Sequence, residues 1–372
     1  MSPPLQPLPS PPGNPLRRWW RGYGLFAALC LLWLLSTFSA FWFDGLLAWA
    51  AGLLYVGYDT WLLGYVAWQT RDLARLKASS RSLGPALGAL PALGIVVPAR
   101  NEASVLAATL DPLLAQLLPG DTLLLVDDGS NDHSRALLQQ RYGVEPGEGL
   151  VRSTRHAALQ VLFKPNSGKA DSLNAGWQRL AQPVIVTIDA DTRLAPEALQ
   201  GFREAFAREP ALAAACGILE PRTQGGLSAR LFQLFQRFEY LRAFLSRAAW
   251  MQSDALLLVS GAFAGYRREA LERIGGFDPE CLVEDYELIH RLHQTACEQG
   301  LGWTVRVLAA PRAITDAPAD VQGFLRQRRR WFAGFLQTQF RYRLLNGDVR
   351  YGAVGRLMLP VKAVDTLQPV FG

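Results

Sequence analysis

"VTIDADTRL", residues 186–194, decides how the chain is read. Val186, Thr187 and Ile188 belong to an apolar, β-branched run over 183–189 that reads as a buried strand. The run closes on two aspartates with one alanine between them. Side chains alternate across a strand, so Asp189 and Asp191 share a face if the extended geometry continues through both. Two carboxylates so placed repel each other unless something positive lies between them.

Upstream and downstream of this stretch, short apolar runs alternate with helical segments. Strands are predicted over 93–99, 122–128, 159–164, 183–189 and 212–219, with helices beginning near Glu102, Ser134, Lys169 and Ala195. This alternation predicts an α/β fold with a largely parallel sheet covered on both faces. Ligands of such sheets collect at the carboxyl ends of the strands. Those ends carry "PARNE" (98–102), "DDGSND" (127–132), "KPNSGKADSLN" (164–174) and "DADT" (189–192). No GxGxxG follows the first strand and no GxxxxGK[ST] occurs anywhere, which argues against a dinucleotide site and a P-loop. The mouth is lined by acids, with Lys164 and Lys169 near them. Acids can face a diphosphate through a divalent metal, which binds carboxylate and phosphate oxygens together. Asp189 and Asp191 are therefore assigned to Mg²⁺ or Mn²⁺ held against a nucleotide diphosphate. The alternative is an Asx turn closing the strand.

The rest of the chain suggests a setting. It has 372 residues, half of them hydrophobic, and a net charge of +6. Residues 23–43 contain no charge and residues 45–68 only Asp59, with Trp and Tyr near the ends of both runs. Each run is long enough to cross a hydrocarbon core of ~30 Å, so the expectation is a transmembrane hairpin rather than a signal peptide. Arg17, Arg18 and Arg21 before it, and Arg71, Arg75, Lys77 and Arg81 after it, put both ends in the cytoplasm. The expected location is the inner (plasma) membrane, multi-pass, with the catalytic domain cytoplasmic. The expected division is a Pro-rich tail over 1–22, the hairpin over 23–68, a linker over 69–92, the catalytic domain over 93–320 and helices over 321–372. Cys30, Cys216, Cys281 and Cys297 form no CxxC pair, so neither a zinc site nor a disulfide framework is indicated. The positive charge suits anionic lipid or a phosphorylated substrate; no nucleic-acid motif accompanies it.

Six motifs in order, "PARNE", "VDDGSND", "SGKADSLNAG", "DAD", "VEDYEL" and "QRRRW", resemble those of family 2 glycosyltransferases. The likeness runs from residue 93 to about residue 340 and is closest to the membrane-bound synthases of poly-N-acetylglucosamine, hyaluronan, chitin and cellulose. It implies a GT-A type Rossmann-like mixed sheet with helices on both faces, following the hairpin and followed by amphipathic interfacial helices. By the same resemblance, Asp127 and Asp128 lie beside the uracil and ribose of a UDP-sugar. Lys169 approaches the diphosphate or donor sugar, and Ser260 and Gly261 line the pocket. Glu284 and Asp285 match the Glu-Asp pair in which the aspartate is the general base, as attack by an acceptor hydroxyl requires. Gln327, Arg330 and Trp331 fit the QxxRW pattern, the tryptophan under the acceptor sugar and the other two over the diphosphate. Glu102 and Arg100 are further candidates for nucleotide contact. His290 and His293 are read as ordinary helix-surface residues, because three-residue spacing without a third ligand makes a poor zinc site.

The expected activity is inverting, metal-dependent transfer from UDP-N-acetylglucosamine or UDP-glucose to a growing β-linked polysaccharide at the cytoplasmic face. The expected partners are the donor, the polysaccharide or lipid-linked acceptor, membrane lipid and subunits for export. Single-sugar transfer to a polyprenyl phosphate is one alternative; a non-catalytic receptor or scaffold is another. Processive synthases carry further spans after QxxRW, whereas no run of about 20 apolar residues follows Trp331 here. A truncated chain is the expectation.

Overall fold

The computed structural model describes residues 31, 34, 35, 46–71, 89–223 and 225–371. Its centre is a nine-stranded mixed sheet. In chain order the strands are β1 (Leu93–Ala99), β2 (Thr122–Asp128), β3 (Gly149–Arg152), β4 (Leu159–Lys164), β5 (Val184–Ile188), β6 (Thr192–Leu194), β7 (Leu212–Arg222), β8 (Phe263–Arg267) and β9 (Thr304–Asp316). They lie in the order β3-β4-β2-β1-β5-β8-β7-β9-β6. The central pairs β4-β2, β2-β1 and β1-β5 are parallel, while β8 runs antiparallel to both β5 and β7.

Alternation along the strands fills two cores. Ile95, Val97, Leu123 and Leu125 point to one face, against α2 (Leu106–Leu114), α3 (Ser134–Tyr142) and α5 (Ala198–Arg208). Val96, Leu124 and Val126 point to the other, against α4 (Lys169–Trp177), α7 (Arg268–Ile274) and α8 (Glu284–Glu298). These strands are buried on both sides, which explains their continuous apolar runs. A buried ion pair between Arg203 of α5 and Asp121 fixes the entry to β2. Asp121 also accepts hydrogen bonds from the backbone N–H groups of Leu93 (2.8 Å) and Leu118 (2.7 Å).

A third core joins Trp250 of α6 (Leu227–Met251), Tyr286 of α8 and Tyr342, which follows α9 (Val321–Arg341), to Met358 and to Leu359 of α10 (Leu359–Phe371). Helix α1 (Leu46–Thr70) packs on this core through Tyr58, Leu62 and Tyr65.

Here the membrane expectation is corrected. Residues 46–68 of the second run do lie in a helix, but among the described residues no helix is long and apolar enough to cross a membrane. One face of α1 is committed to the protein. The Tyr58 hydroxyl donates to Asp365 at 2.5 Å, Tyr65 and Ser253 share a hydrogen bond of 2.8 Å, and the Tyr65 and Trp250 rings lie 4.7 Å apart. The apolar content that suggested a span therefore includes side chains packed against protein. The multi-pass inner-membrane placement, the membrane anchor and the hairpin of the expected fold are withdrawn on this finding. The 1–22 tail, most of the first run (23–43) and most of the linker lie outside the described residues. The interfacial setting expected for the flanking helices is withdrawn too: α9 is bonded to the domain through Arg328–Glu239 (2.6 Å) and Arg341–Asp278.

Candidate active site

A cleft of about 250 Å³ opens at the carboxyl end of the sheet, with α6 and α9 forming its far wall. Lys169, Asp189, Asp191, Ser260, Glu284, Asp285, Gln327, Arg330 and Trp331 all line it. Nine of the residues singled out from sequence thus converge on one cavity, from segments up to 162 positions apart.

The two aspartates do not arrive by strand alternation. Strand β5 stops at Ile188, and the Asp189 N–H donates across to the Ala262 carbonyl (3.1 Å). The chain then turns, with the Thr192 N–H donating to the Asp189 carbonyl at 3.0 Å, and β6 begins. This turn brings both carboxylates to the cleft. The hydroxyls of Thr192 (3.3 Å) and of Thr315 on β9 (3.4 Å) donate to Asp191. Burial, then the charges of Asp189 and Asp316, push the Asp191 carboxyl up to about 6. Glu102, in the loop after β1, is pushed up to about 7 by burial and then by Asp191, Asp189, Asp132 and Asp316. Repulsion among these carboxylates is therefore incompletely relieved by the protein. An all-oxygen, acid-rich donor set with uncompensated charge fits Mg²⁺ or Mn²⁺, and Asp189 and Asp191 are the residues that would hold it.

Lys169, the first residue of α4, answers part of that charge. Its ammonium lies 2.6 Å from Asp189 and 3.3 Å from Glu284. Burial alone would depress its pKa; Asp189 and then Glu284 outweigh burial and raise it. Opposite, Glu284 and Asp285 open α8. Both Asp285 oxygens are occupied, one by the N–H of Gly261 (2.6 Å) and the other by its neighbour Tyr286 N–H (2.8 Å). Gly261 does not line the cavity itself; it holds the carboxylate that does. A Cβ there would come within 3.0 Å of the Asp285 side chain. Burial, then Glu284, push the Asp285 carboxyl up to about 6, against the pull of Lys169 and the two donors.

Asp127 and Asp128 are not in the cleft. Both are buried and internally satisfied. Asp127 pairs with Arg135 at 3.1 Å and accepts from Ser130 N–H at 3.2 Å. Asp128 takes Lys164 at 2.6 Å and the N–H groups of Ser167 (2.9 Å) and Gly168 (3.0 Å). Although burial opposes it, these partners hold its carboxyl below the usual range. Asp128 thus shapes the 164–168 loop leading into Lys169.

Several cleft residues escaped the sequence reading. Asp316 follows Thr315, whose register against Thr192 carries it beside Asp191; the cue was hidden because β9 was not recognised as a strand. Glu239, Tyr240 and Arg247 come from α6, and Arg328 lies over the Trp331 ring at 4.3 Å. The histidines are corrected as well. His290 is buried, its Nδ1 2.8 Å from the Tyr286 carbonyl and its pKa pushed down to about 3 by burial; His293 Nε2 is 2.8 Å from the Leu256 carbonyl.

A second group, Asp278, Cys281 and Glu287, has ligand atoms within 4.8 Å of one another. Its charge is already met, Asp278 by Arg341 and Glu287 by Arg291 (2.5 Å) and the Tyr342 hydroxyl (2.6 Å). Two guanidiniums leave no net negative charge there for a dication.

Part of the chain resembles known proteins. Residues 94–275 match the model of glycosyl transferase family 2. A poly-β-1,6-N-acetyl-D-glucosamine synthase of Staphylococcus epidermidis is 24% identical over 237 residues, which are 63% of this chain and 52% of that protein. The synthase of the same name from Staphylococcus aureus strain COL is 24% identical over 236 residues, with the same two coverages. The chain thus spans about half the length of the curated relatives it matches. A mannosyltransferase from Pyrobaculum calidifontis, solved with GDP-Man and Mn²⁺, shares the fold with a TM-score of 0.53 at 18% identity, covering 84% of this chain and 86% of that one.

Proposed function

We propose that this chain, a glycosyltransferase of family 2, moves a sugar from a UDP-sugar to a carbohydrate hydroxyl with inversion, Asp285 acting as the base. The observation that carries the reading is the meeting in one cleft of Asp189 and Asp191 with Glu284 and Asp285, bridged by Lys169. UDP-N-acetylglucosamine is the first donor and UDP-glucose the second. The likeness to poly-N-acetylglucosamine synthases supports that order and a β-linked polysaccharide product.

Asp189 and Asp191 would hold Mg²⁺ or Mn²⁺, which when bound neutralises charge on the diphosphate leaving group. Lys169 adds a fixed positive charge beside them. The acceptor hydroxyl gives its proton to Asp285 as its oxygen bonds to the anomeric carbon. The bond from that carbon to the diphosphate oxygen breaks on the opposite side, and UDP leaves with the electron pair. Gly261 and Tyr286 N–H groups fix the base's orientation before substrate arrives. Trp331 offers an aromatic plate for the acceptor's apolar face. Gln327 and Arg330, from the same helix turn, close over the diphosphate, and Ser260 lines the donor side. Glu102 reinforces the acidic end. Asp127 and Asp128 act on the donor indirectly, through Arg135 and the 164–168 loop.

The test is UDP release across a panel of UDP-sugars with Mg²⁺ or Mn²⁺ and oligosaccharide acceptors, with Asp285→Asn alongside. Release with one donor, lost in the variant, supports the reading. Full turnover by Asp285→Asn sinks it.

A further inference from the structure

Helix α9 carries Trp331, and the segment 278–283 leads directly into Glu284 and Asp285. Three independent contacts join them. Arg341 pairs with buried Asp278. The Gln337 side chain accepts from Leu282 N–H at 3.0 Å and donates to the Glu280 carbonyl at 2.9 Å, reading the loop backbone in both directions. Gly334 lies against Val283: a Cβ at 334 would collide with Val283 Cγ2, stand 2.8 Å from its Cβ and 3.1 Å from its N. Val283 is itself the residue before the Glu284–Asp285 pair.

These residues face the loop rather than the cleft. Leu282 and Val283 of the loop and Gln327, Arg328, Arg330, Trp331 and Phe335 of α9 line the cavity, whereas Gln337, Arg341 and Asp278 do not. Both the acceptor plate and the base must sit at the right distance from one sugar, and an error of ~1 Å in such a distance can cost ~100-fold in rate.

We infer that Gly334, Gln337 and Arg341 are positioning residues. They lock the base-bearing loop 278–285 to α9, so that Trp331 and Asp285 form one rigid acceptor site. This rests on the proposed transferase reading, in which Asp285 is the base. Gln327 and Arg330 lie on α9 itself, ahead of the locking residues, and Asp189 and Asp191 lie beyond β5, so freeing the loop displaces Asp285 first and should change turnover more than nucleotide affinity.

The experiment uses the full chain as wild type, Gln337→Leu, Gly334→Ala and the double variant Gly334→Ala/Val283→Ala. Hydrogen exchange of the peptide covering 278–285 is read first. It should quicken in Gln337→Leu and Gly334→Ala and recover in the double variant, where the colliding methyls are gone. UDP-release kinetics are read second. The single variants should lose about tenfold to a hundredfold in kcat. Their dissociation constant for UDP should stay within about twofold of wild type. Unchanged exchange overturns the lock. Faster exchange with unchanged kcat overturns its positioning role, and so does a parallel loss of kcat and UDP affinity. Wild-type protein that turns over no donor refutes the transferase reading instead, and the exchange data still decide whether loop and helix are locked.

Discussion

Lys169 and Asp189 meet at 2.6 Å across the carboxyl end of the sheet, one from the start of α4 and the other from the end of β5. A cation at a helix N-terminus opposes the macrodipole, so helix stability does not explain it. Its partners do: it is the positive charge between the acids of the cleft. Lys169→Met should lower kcat/KM by about 10²–10³, the scale for removing one preorganised electrostatic contact, with a smaller loss in Lys169→Arg. Steady-state UDP release measures it.

As the proposed base, Asp285 must be ionised to take a proton, and its carboxyl is pushed up to about 6. Activity should therefore rise with pH through about 6 and level off above it. Loss of the base in Asp285→Asn should cost about 10²–10⁴ in kcat.

The same shift has a stability sign. The folded pKa lies above the ordinary carboxylate value, so the native state binds the proton more tightly than the unfolded state does. Its contribution is fully present at low pH and is lost as pH rises through about 6. Asp285→Asn removes the titrating charge, so the loss of stability seen between pH 5 and pH 7.5 in the wild type should be smaller in the variant. Paired thermal melts at the two pH values check both statements.

Glu102 and Asp191 are both raised by neighbouring carboxylates as well as by burial, so a dication at Asp189 and Asp191 should relieve them. Adding Mn²⁺ should raise Tm, by about 2.7 kcal/mol of stability at a hundredfold excess over Kd. Asp191→Asn should erase most of that rise, and chelation should stop turnover.

Arg203 and Asp121 are buried together between α5 and the start of β2. Arg203→Ala would strand the Asp121 charge and should cost about 3–5 kcal/mol, read from urea denaturation.

The parallel centre of the sheet was legible because β1 and β2 are buried on both faces and read as apolar runs. Strand β9 was not. Arg306 and Arg312 interrupt it, Pro311 lies inside it, its alternation breaks at Ala309 and Ala310, and Ile314 is exposed while Thr315 is buried. Strand β6 has three residues, too few for any periodicity. Missing those two strands concealed Asp316. The aspartate pair was found for an incomplete reason: it is a turn after Ile188, and not a continued strand, that presents both side chains. The apolar run of α1 misled because composition does not distinguish a helix in lipid from one laid on Trp250.

The grip of Asp128 on Lys164, Ser167 and Gly168 carries a lesson for genetics. A cell carrying Asp128→Ala would look donor-blind, although the missing carboxylate lies outside the cleft. Its defect would come from a slackened loop that lets Lys169 wander. Suppressors would then be sought among substitutions that stiffen residues 164–168, none of which lines the cleft.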